Sequence, residues 1–301
     1  MTLAVRGRVL RALLALPLLA IPASVRASGF ALESQGARAM GFSGAYVAQA
    51  ADPSAIYYNA AGIGFLKGKH FYGSALLGGL STDFTGEGPN PPVGTLETSS
   101  RGLGAIPALY YSQQVGERVY VGLGFNRPFG FKSQWDNPDQ FTGRYICTDC
   151  KIDSWALNPT IAFRIEDRFA IGGGIDVRFS SFRQTRRLQA DPNPFPVPTD
   201  VAELTFDSST KTAVGFNLGL LAMPTEDFSI GIAYRHKVTA EHEAQANFVQ
   251  IPTGDAAVDA AVRAGLPASQ LATAGFTYPA SVAVGAALRR GYWMVEVDFQ
   301  W

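Results

Sequence analysis

What most restricts this chain is a two-residue alternation of apolar with small or polar side chains that recurs run after run. Trp155, Leu157, Ile161, Phe163 and Ile165 alternate with Ala156, Asn158, Thr160, Ala162 and Arg164. Phe169, Ile171, Ile175, Val177 and Phe179 alternate with Ala170, Gly172, Gly174, Asp176 and Arg178. The pattern returns at Thr212–Leu220, Phe228–Tyr234, Phe276–Leu288 and Trp293–Trp301, and less cleanly at Phe71–Leu80, Leu103–Ser112 and Val119–Asn126. Period two belongs to strands, whose successive side chains point to opposite faces, so the chain reads as all-β with about nine strands.

The connections narrow the choice further. Gln113–Arg118, Glu166–Arg168, Pro224–Asp227 and Arg290–Tyr292 are short and polar, and between them lie the long links Ser81–Gly102, Arg127–Ile152, Arg183–Thr210 and Ala240–Gly275. Short and long alternate strictly. That is the connectivity of a transmembrane antiparallel β-barrel with short periplasmic turns, long outer loops and an apolar face toward lipid. A soluble all-β domain would have shorter strands and less regular loops. Pro107, Pro159 and Pro279 fall inside the strand patterns and are expected at bulges or kinks, because proline cannot donate to a ladder.

At the amino terminus Arg6, Arg8 and Arg11 precede an apolar run, Ala12–Ala23, and then Val25-Arg26-Ala27, a composition that predicts a cleaved export signal over residues 1–27. A membrane anchor is the weaker reading, since the run falls short of the ~20 residues a spanning helix needs and Pro17 and Pro22 interrupt it. Loss of Arg6, Arg8, Arg11 and Arg26 would take the 25 basic residues to 21 against 25 acids, a net of −4. An acidic chain of this kind offers no patch for a nucleic-acid partner. Cys147 and Cys150 form one CxxC with no second pair or nearby histidine to complete a metal set, and in an exported chain they are expected to close a small loop disulfide rather than serve redox or zinc chemistry. His70, His236 and His242 stand beside no serine or cysteine motif, so no catalytic constellation is expected.

Residues 28–64 fit neither period for long. They are rich in Gly, Ala and Ser yet carry Phe30, Leu32, Met40, Phe42, Tyr46, Ile56, Tyr57 and Tyr58, a compact apolar segment that needs an enclosing wall. The motifs Ser28-Gly29-Phe30-Ala31-Leu32, Gly41-Phe42-Ser43-Gly44-Ala45-Tyr46, Tyr58-Asn59-Ala60-Ala61-Gly62, Asn126-Arg127-Pro128-Phe129-Gly130, Phe141-Thr142-Gly143-Arg144, Asn158-Pro159-Thr160-Ile161-Ala162 and Tyr278-Pro279-Ala280-Ser281-Val282 occur in an order that resembles the FadL family of outer-membrane transporters for long-chain fatty acids and other hydrophobic compounds. Ala60 stands where the family usually has proline. The resemblance implies a hatch over residues 28–68 inside a barrel formed from 69–301, in the outer membrane of a Gram-negative bacterium. It also implies passive uptake without cofactor, and no enzymatic activity. The partners it implies are outer-membrane lipids and hydrophobic cargo, and the chain is expected as a monomer. The alternative is a structural or adhesive barrel that moves nothing. Nine strands are fewer than a family barrel contains, and the pattern stops within a strand. The chain is therefore expected to be part of a longer protein, and alone not to close a heat-resistant barrel.

Within this frame the candidate ligand-binding residues are Phe30 and Leu32 at the hatch start, Phe129, Trp135 and Phe141 in one outer link, Val262 and Leu266 on a short helix in another, and Arg178 and Arg235 on the inner face. An arginine there could hold a carboxylate head group in a bidentate pair. Asn59, Ala60 and Ala61 mark the hatch turn. Gly122, Gly124, Asn126 and Pro128 mark the strand where the family has a lateral opening, the glycines serving either an inward kink or close packing of the hatch.

Overall fold

The computed structural model describes residues 30–88, 91–100, 102–190, 194 and 198–301, so the export signal at 1–27 and the hatch residues Ser28 and Gly29 lie outside it. Among the described residues fourteen strands follow in order: β1 Lys69–Leu80, β2 Asp83–Thr85, β3 Leu96–Thr98, β4 Gly102–Gln114, β5 Val119–Gln134, β6 Asp149–Glu166, β7 Phe169–Gln189, β8 Asp200–Asp207, β9 Lys211–Thr225, β10 Phe228–Arg235, β11 Val238–Gln250, β12 Gln270–Tyr278, β13 Ser281–Arg290 and β14 Trp293–Gln300. Nine of them, β1-β4-β5-β6-β7-β9-β10-β13-β14, form the wall as one antiparallel succession.

The side chains are arranged inside out. Ile161, Phe163, Ile175, Phe216, Leu218, Leu220, Ile232, Val295 and Val297 are exposed, whereas Asn158, Ala162, Ala170, Asp176 and Asn217 on the opposite face are buried. In water such an apolar outer face would be unfavourable along every strand; in a bilayer it is the face that hydrocarbon solvates.

The long links differ from expectation, since all four carry strand. β2 and β3 form a hairpin inside the first; β5 and β6 run far into the second; β7, β8 and β11 pair beyond the wall, and β11 pairs onward with β12. Phe129 thus stands in a strand rather than in an outer loop. The alternation was present but made of small residues: in β11, buried Val238, Ala240, His242, Ala244 and Ala246 alternate with exposed Thr239, Glu241, Glu243 and Gln245. Between β11 and β12 lies α3, Ala256–Gly265, whose first amides donate to the capping Asp255 carboxylate.

The prolines also depart from expectation. Pro107 keeps register with Ala75 and makes no bulge, Pro279 falls between β12 and β13, and Pro159 leaves a gap in the β6–β7 ladder without shifting it. Pro159 has no N–H for the Ile175 carbonyl; the neighbouring Asn158 side chain donates to that oxygen instead, at 2.7 Å. Replacing Asn158 by alanine is expected to cost about 1–3 kcal/mol, the penalty of an orphaned buried acceptor. Denaturant unfolding in detergent measures it, and an unchanged midpoint would show that lipid or water serves that carbonyl equally well.

Before the strands, residues 30–66 pack on the inner face. They hold two short helices, α1 Ala37–Gly41 and α2 Ala55–Tyr58, and a 3-10 helix, Ala60–Phe65. Ala50, Ala55, Ile56, Ala61 and Ile63 form one core with Ala108, Tyr110, Tyr120, Ala162, Ala170 and Leu221 of the wall. Asn59 is buried and caps the 3-10 helix, its side chain accepting from the Ala61 amide and donating to the Val47 and Leu220 carbonyls at 2.8 and 2.9 Å. Ala60, where the family has proline, is the first residue of that helix, a position that needs no backbone donor.

Candidate functional site

The wall has an interruption between β4 and β5. Their ladder runs only from Gln114↔Tyr120 to Leu109↔Phe125. Past that pair β4 stays bonded to β1 as far as Gly102, and β5 stays bonded to β6 as far as Gln134. Among the described residues no ladder joins Gly102–Ala108 to the facing part of β5. The strands meet again at the outer end, where the Ser100 amide donates to the Gln134 carbonyl at 2.6 Å and Ser99 bridges Trp135. The gap is therefore bounded at both ends. It begins where β5 shifts register between Asn126 and Phe129, the bulge containing Arg127 and Pro128.

The hatch start lies against this stretch. The Leu32 amide donates to the Pro128 carbonyl at 2.9 Å and the Gly130 amide donates to the Phe30 carbonyl at 3.0 Å. Phe30–Leu32 thus occupies ladder positions on β5 that β4 leaves free. Gln35, fully buried, ties the same bulge: its side-chain nitrogen donates to the Arg127 carbonyl at 2.7 Å. Asn126 is buried behind it and donates to the Tyr110 hydroxyl at 3.3 Å. Gly122 and Gly124 sit between the gap and the short turn, and a Cβ on them would lie 2.7 and 2.9 Å from the Ile56 side chain. These glycines make room for the hatch.

Close approach recurs under the hatch turn. A Cβ on Gly172 would fall 2.5 Å from the Ala60 carbonyl carbon, and one on Gly219 would collide with the Asn59 side-chain oxygen. On the opposite flank two carboxylates of β14 hold the turn at residues 46–49. The Tyr46 and Val47 amides donate to Asp298 at 2.7 and 2.9 Å, and the Ala48 and Gln49 amides donate to Glu296 at 2.7 and 3.1 Å.

Above the hatch lies a charged cluster with aromatic walls. Asp176 Oδ2 accepts from Arg178 at 2.6 Å and from Arg235 at 2.9 Å. Arg235 also donates to the Tyr57 carbonyl at 2.9 Å and lies over the Tyr57 ring. The Arg178 guanidinium is 1% exposed and sandwiched 4.9 Å from the Phe129 ring and 4.7 Å from the Tyr278 ring. Its Nε and Nη1 find no acceptor among the described residues. Two guanidiniums share the Asp176 carboxylate, Glu33 lies within electrostatic reach of Arg235, and Arg178 keeps donors to spare. Beside it, Phe129, Ile152, Val238, Ala240 and Tyr278 form an apolar cluster on which Phe30 and Phe276 pack, ring centroids 6.3 Å apart.

Of the residues singled out from sequence, Phe30, Phe129, Arg178 and Arg235 come together here. Trp135 and Phe141 do not: their rings stack on each other at 3.8 Å. Val262 and Leu266 stand on and just beyond α3, half-buried in line with Val258. Cys147 and Cys150 are joined as a disulfide. The fold gives His242 neighbours that its place in the sequence did not show: it is buried 3.2 Å from the Ser180 hydroxyl and 3.2 Å from that of Ser208. Both ring nitrogens are taken by serines, and Ser180 is shared with the Tyr278 hydroxyl at 2.6 Å, so among the described residues no carboxylate orients the imidazole. The cluster lacks the third member a hydrolase triad requires. Sequence spacing hid it because its members are far apart along the chain. Asp176 went unnoticed as a partner because its own alternation shows only that it faces inward.

An inward-polar, outward-apolar antiparallel wall is the architecture of an outer-membrane β-barrel protein. Residues 18–301 match the family described as outer membrane protein transport protein (OMPP1/FadL/TodX), and the chain belongs to that family. It is similar to the putative outer membrane protein NMB0088 of Neisseria meningitidis, 31% identical over 122 residues, which are 38% of this chain and 26% of that protein. Outer membrane protein P1 of Haemophilus influenzae is 23% identical over 155 residues, 44% of this chain and 33% of the relative. The matched stretches thus span about a quarter to a third of these relatives' length. Among solved structures, a Pseudomonas aeruginosa FadL homologue superposes with a TM-score of 0.71 at 18% identity, over 91% of this chain and 69% of that one. The Ralstonia pickettii toluene transporter TbuX gives 0.65 at 19% identity, over 89% and 72%. Membership of a family so described places the chain among outer membrane proteins.

Proposed function

We propose that this chain takes hydrophobic small molecules passively across the outer membrane and releases them sideways through the gap between β4 and β5, with Phe30–Leu32 as a displaceable stopper. The observation that carries this reading is the bounded interruption of the ladder, filled from inside by that three-residue segment. Hydrocarbon does not tolerate unpaired backbone groups, so such an interruption in a wall is costly and marks a working position. A greasy molecule leaving by the gap enters lipid directly and avoids a wet periplasmic mouth. The segment that must yield is held to β5 by two backbone bonds, to Gln35 by a bond from its side-chain amide to the Leu32 carbonyl at 2.6 Å, and to the Phe129 cluster and Phe276 by the Phe30 ring.

Replacing both Phe30 and Leu32 by aspartate is expected to leave barrel assembly intact while raising basal leak or lowering affinity for hydrophobic cargo. Uptake of a labelled fatty acid and of toluene into cells carrying the variant is the measurement. Unchanged binding and uptake would remove the hatch start from the mechanism.

For the cargo, long-chain carboxylates are the better fit. Arg178 has guanidinium donors to spare beside an apolar cluster, and a carboxylate with an acyl tail would meet both. A neutral aromatic cargo is the second reading, favoured by the toluene transporters among the structural neighbours. Replacing Arg178 with methionine separates the two: loss of fatty-acid binding with toluene binding kept supports the carboxylate.

A further inference from the structure

On the lipid-facing side of the wall a groove of about 830 Å³ crosses β6, β7, β9 and β10. Its floor lacks one side chain. Gly173 points outward between Ile171 and Ile175, and its ladder partners are Ile161 on β6 and Leu218 on β9. The row Ile161, Gly173, Leu218 is therefore low at its centre, where a Cβ on Gly173 would meet the Leu218 side chain and the Asn217 carbonyl at 3.0 Å, and it is flanked by bulky neighbours that stand exposed: Ile161 at 42%, Ile175 at 52%, Leu218 at 54% and Phe216 at 40%. The volume lies within the roughly 300–1,000 Å³ of small-molecule sites.

The lining carries no charged group. The Tyr234 hydroxyl, at one end, is hydrogen-bonded to His236 at 2.8 Å, and Asn217 is turned inward to Asn158. The groove does not open to the lumen, because Gly172 and Gly219 on the inner face are pressed against the backbone and side chain of the hatch turn at Asn59–Ala61. Anything in it therefore comes from the membrane. It is also continuous with the apolar outer belt that already faces lipid.

From these observations we infer that the groove over Gly173 is a specific seat for one acyl chain of an outer-membrane lipid, lying against the wall directly behind the hatch turn. At this point the wall is only backbone thick, with Gly172 and Gly174 bare on one face and Gly173 bare on the other. A seated acyl chain restores the contacts that the missing side chains forgo. The inference is independent of the route and identity of the cargo, since it rests on the outer face alone.

The test is native mass spectrometry of the protein extracted from outer membranes in mild detergent, with stepwise delipidation. Wild type is expected to keep one lipid after the annular lipids are gone. Filling the low centre with Gly173→Leu, or removing its walls with the double variant Ile175→Ala and Phe216→Ala, is expected to lower that occupancy by roughly tenfold or more. If Gly173→Leu fails to assemble, the wall-removing variant decides alone, because its positions are exposed. Equal retention by wild type and variants, or a bare wild type, overturns the proposal. So does a retained species that proves to be toluene or a free fatty acid instead of a membrane lipid.

Discussion

Uptake of hydrophobic cargo is expected to stop when β4 and β5 are tied together across their gap, while cargo still binds from outside. Cysteines in place of Ile106 and Pro128, on the two facing strands, can be joined by a bifunctional thiol reagent. Cys147 and Cys150 do not compete, being engaged with each other. The unlinked double variant is the control for the substitutions themselves. If the linked protein, with its cross-link verified by mass, transports at the control rate, cargo leaves by the lumen and the sideways route is wrong. Bulky residues at Gly122 and Gly124 are a poorer test, since they would strike Ile56 and dislodge the hatch before narrowing any opening.

A comparably large effect is expected at Asp176, which is 0% exposed and is the shared partner of Arg178 and Arg235. Its replacement by alanine strands two guanidiniums away from water, and removing one partner of a buried ion pair costs about 3–5 kcal/mol. Unfolding in detergent should show a loss of that size. Adding Arg178→Met to Asp176→Ala should recover part of it, because a stranded charge is then replaced by a side chain that suits the Phe129 and Tyr278 rings. A double variant no more stable than the single one would mean that the cluster is held by the rings and not by its charges.

The wall was legible because large apolar side chains mark its outer face: Ile161 and Phe163 or Leu218 and Leu220 leave no doubt of their period. Where alternation is carried by alanine, as along β11, the same period is present but the contrast in size is lost, and strands pass for loops. The hatch was legible as a segment, from glycine spacing and clustered tyrosines. Its anchoring was not, because Gly172, Gly219 and Gly285 become informative only once Ala60, Asn59 and Asp298 are known to press on them. The arginines could be named as inward-facing, but the sharing of Asp176 is a fact of cross-strand register. The gap was suggested by Asn126 and Pro128 and sharpened by the fold, which shows the ladder ending at Phe125 rather than at the glycines before it.

The carboxylates of Glu296 and Asp298 carry a consequence for the order in which the molecule comes together. They grip amides 247 to 252 positions earlier in the chain. Contacts of such sequence separation form late, since the loop must close before they stabilise anything. The turn at residues 46–49, whose carbonyls Asn59 and Ser229 hold, then gains partners for its amides only when β14 is laid beside β13, so an early stretch of the chain is among the last to be fixed on both of its sides.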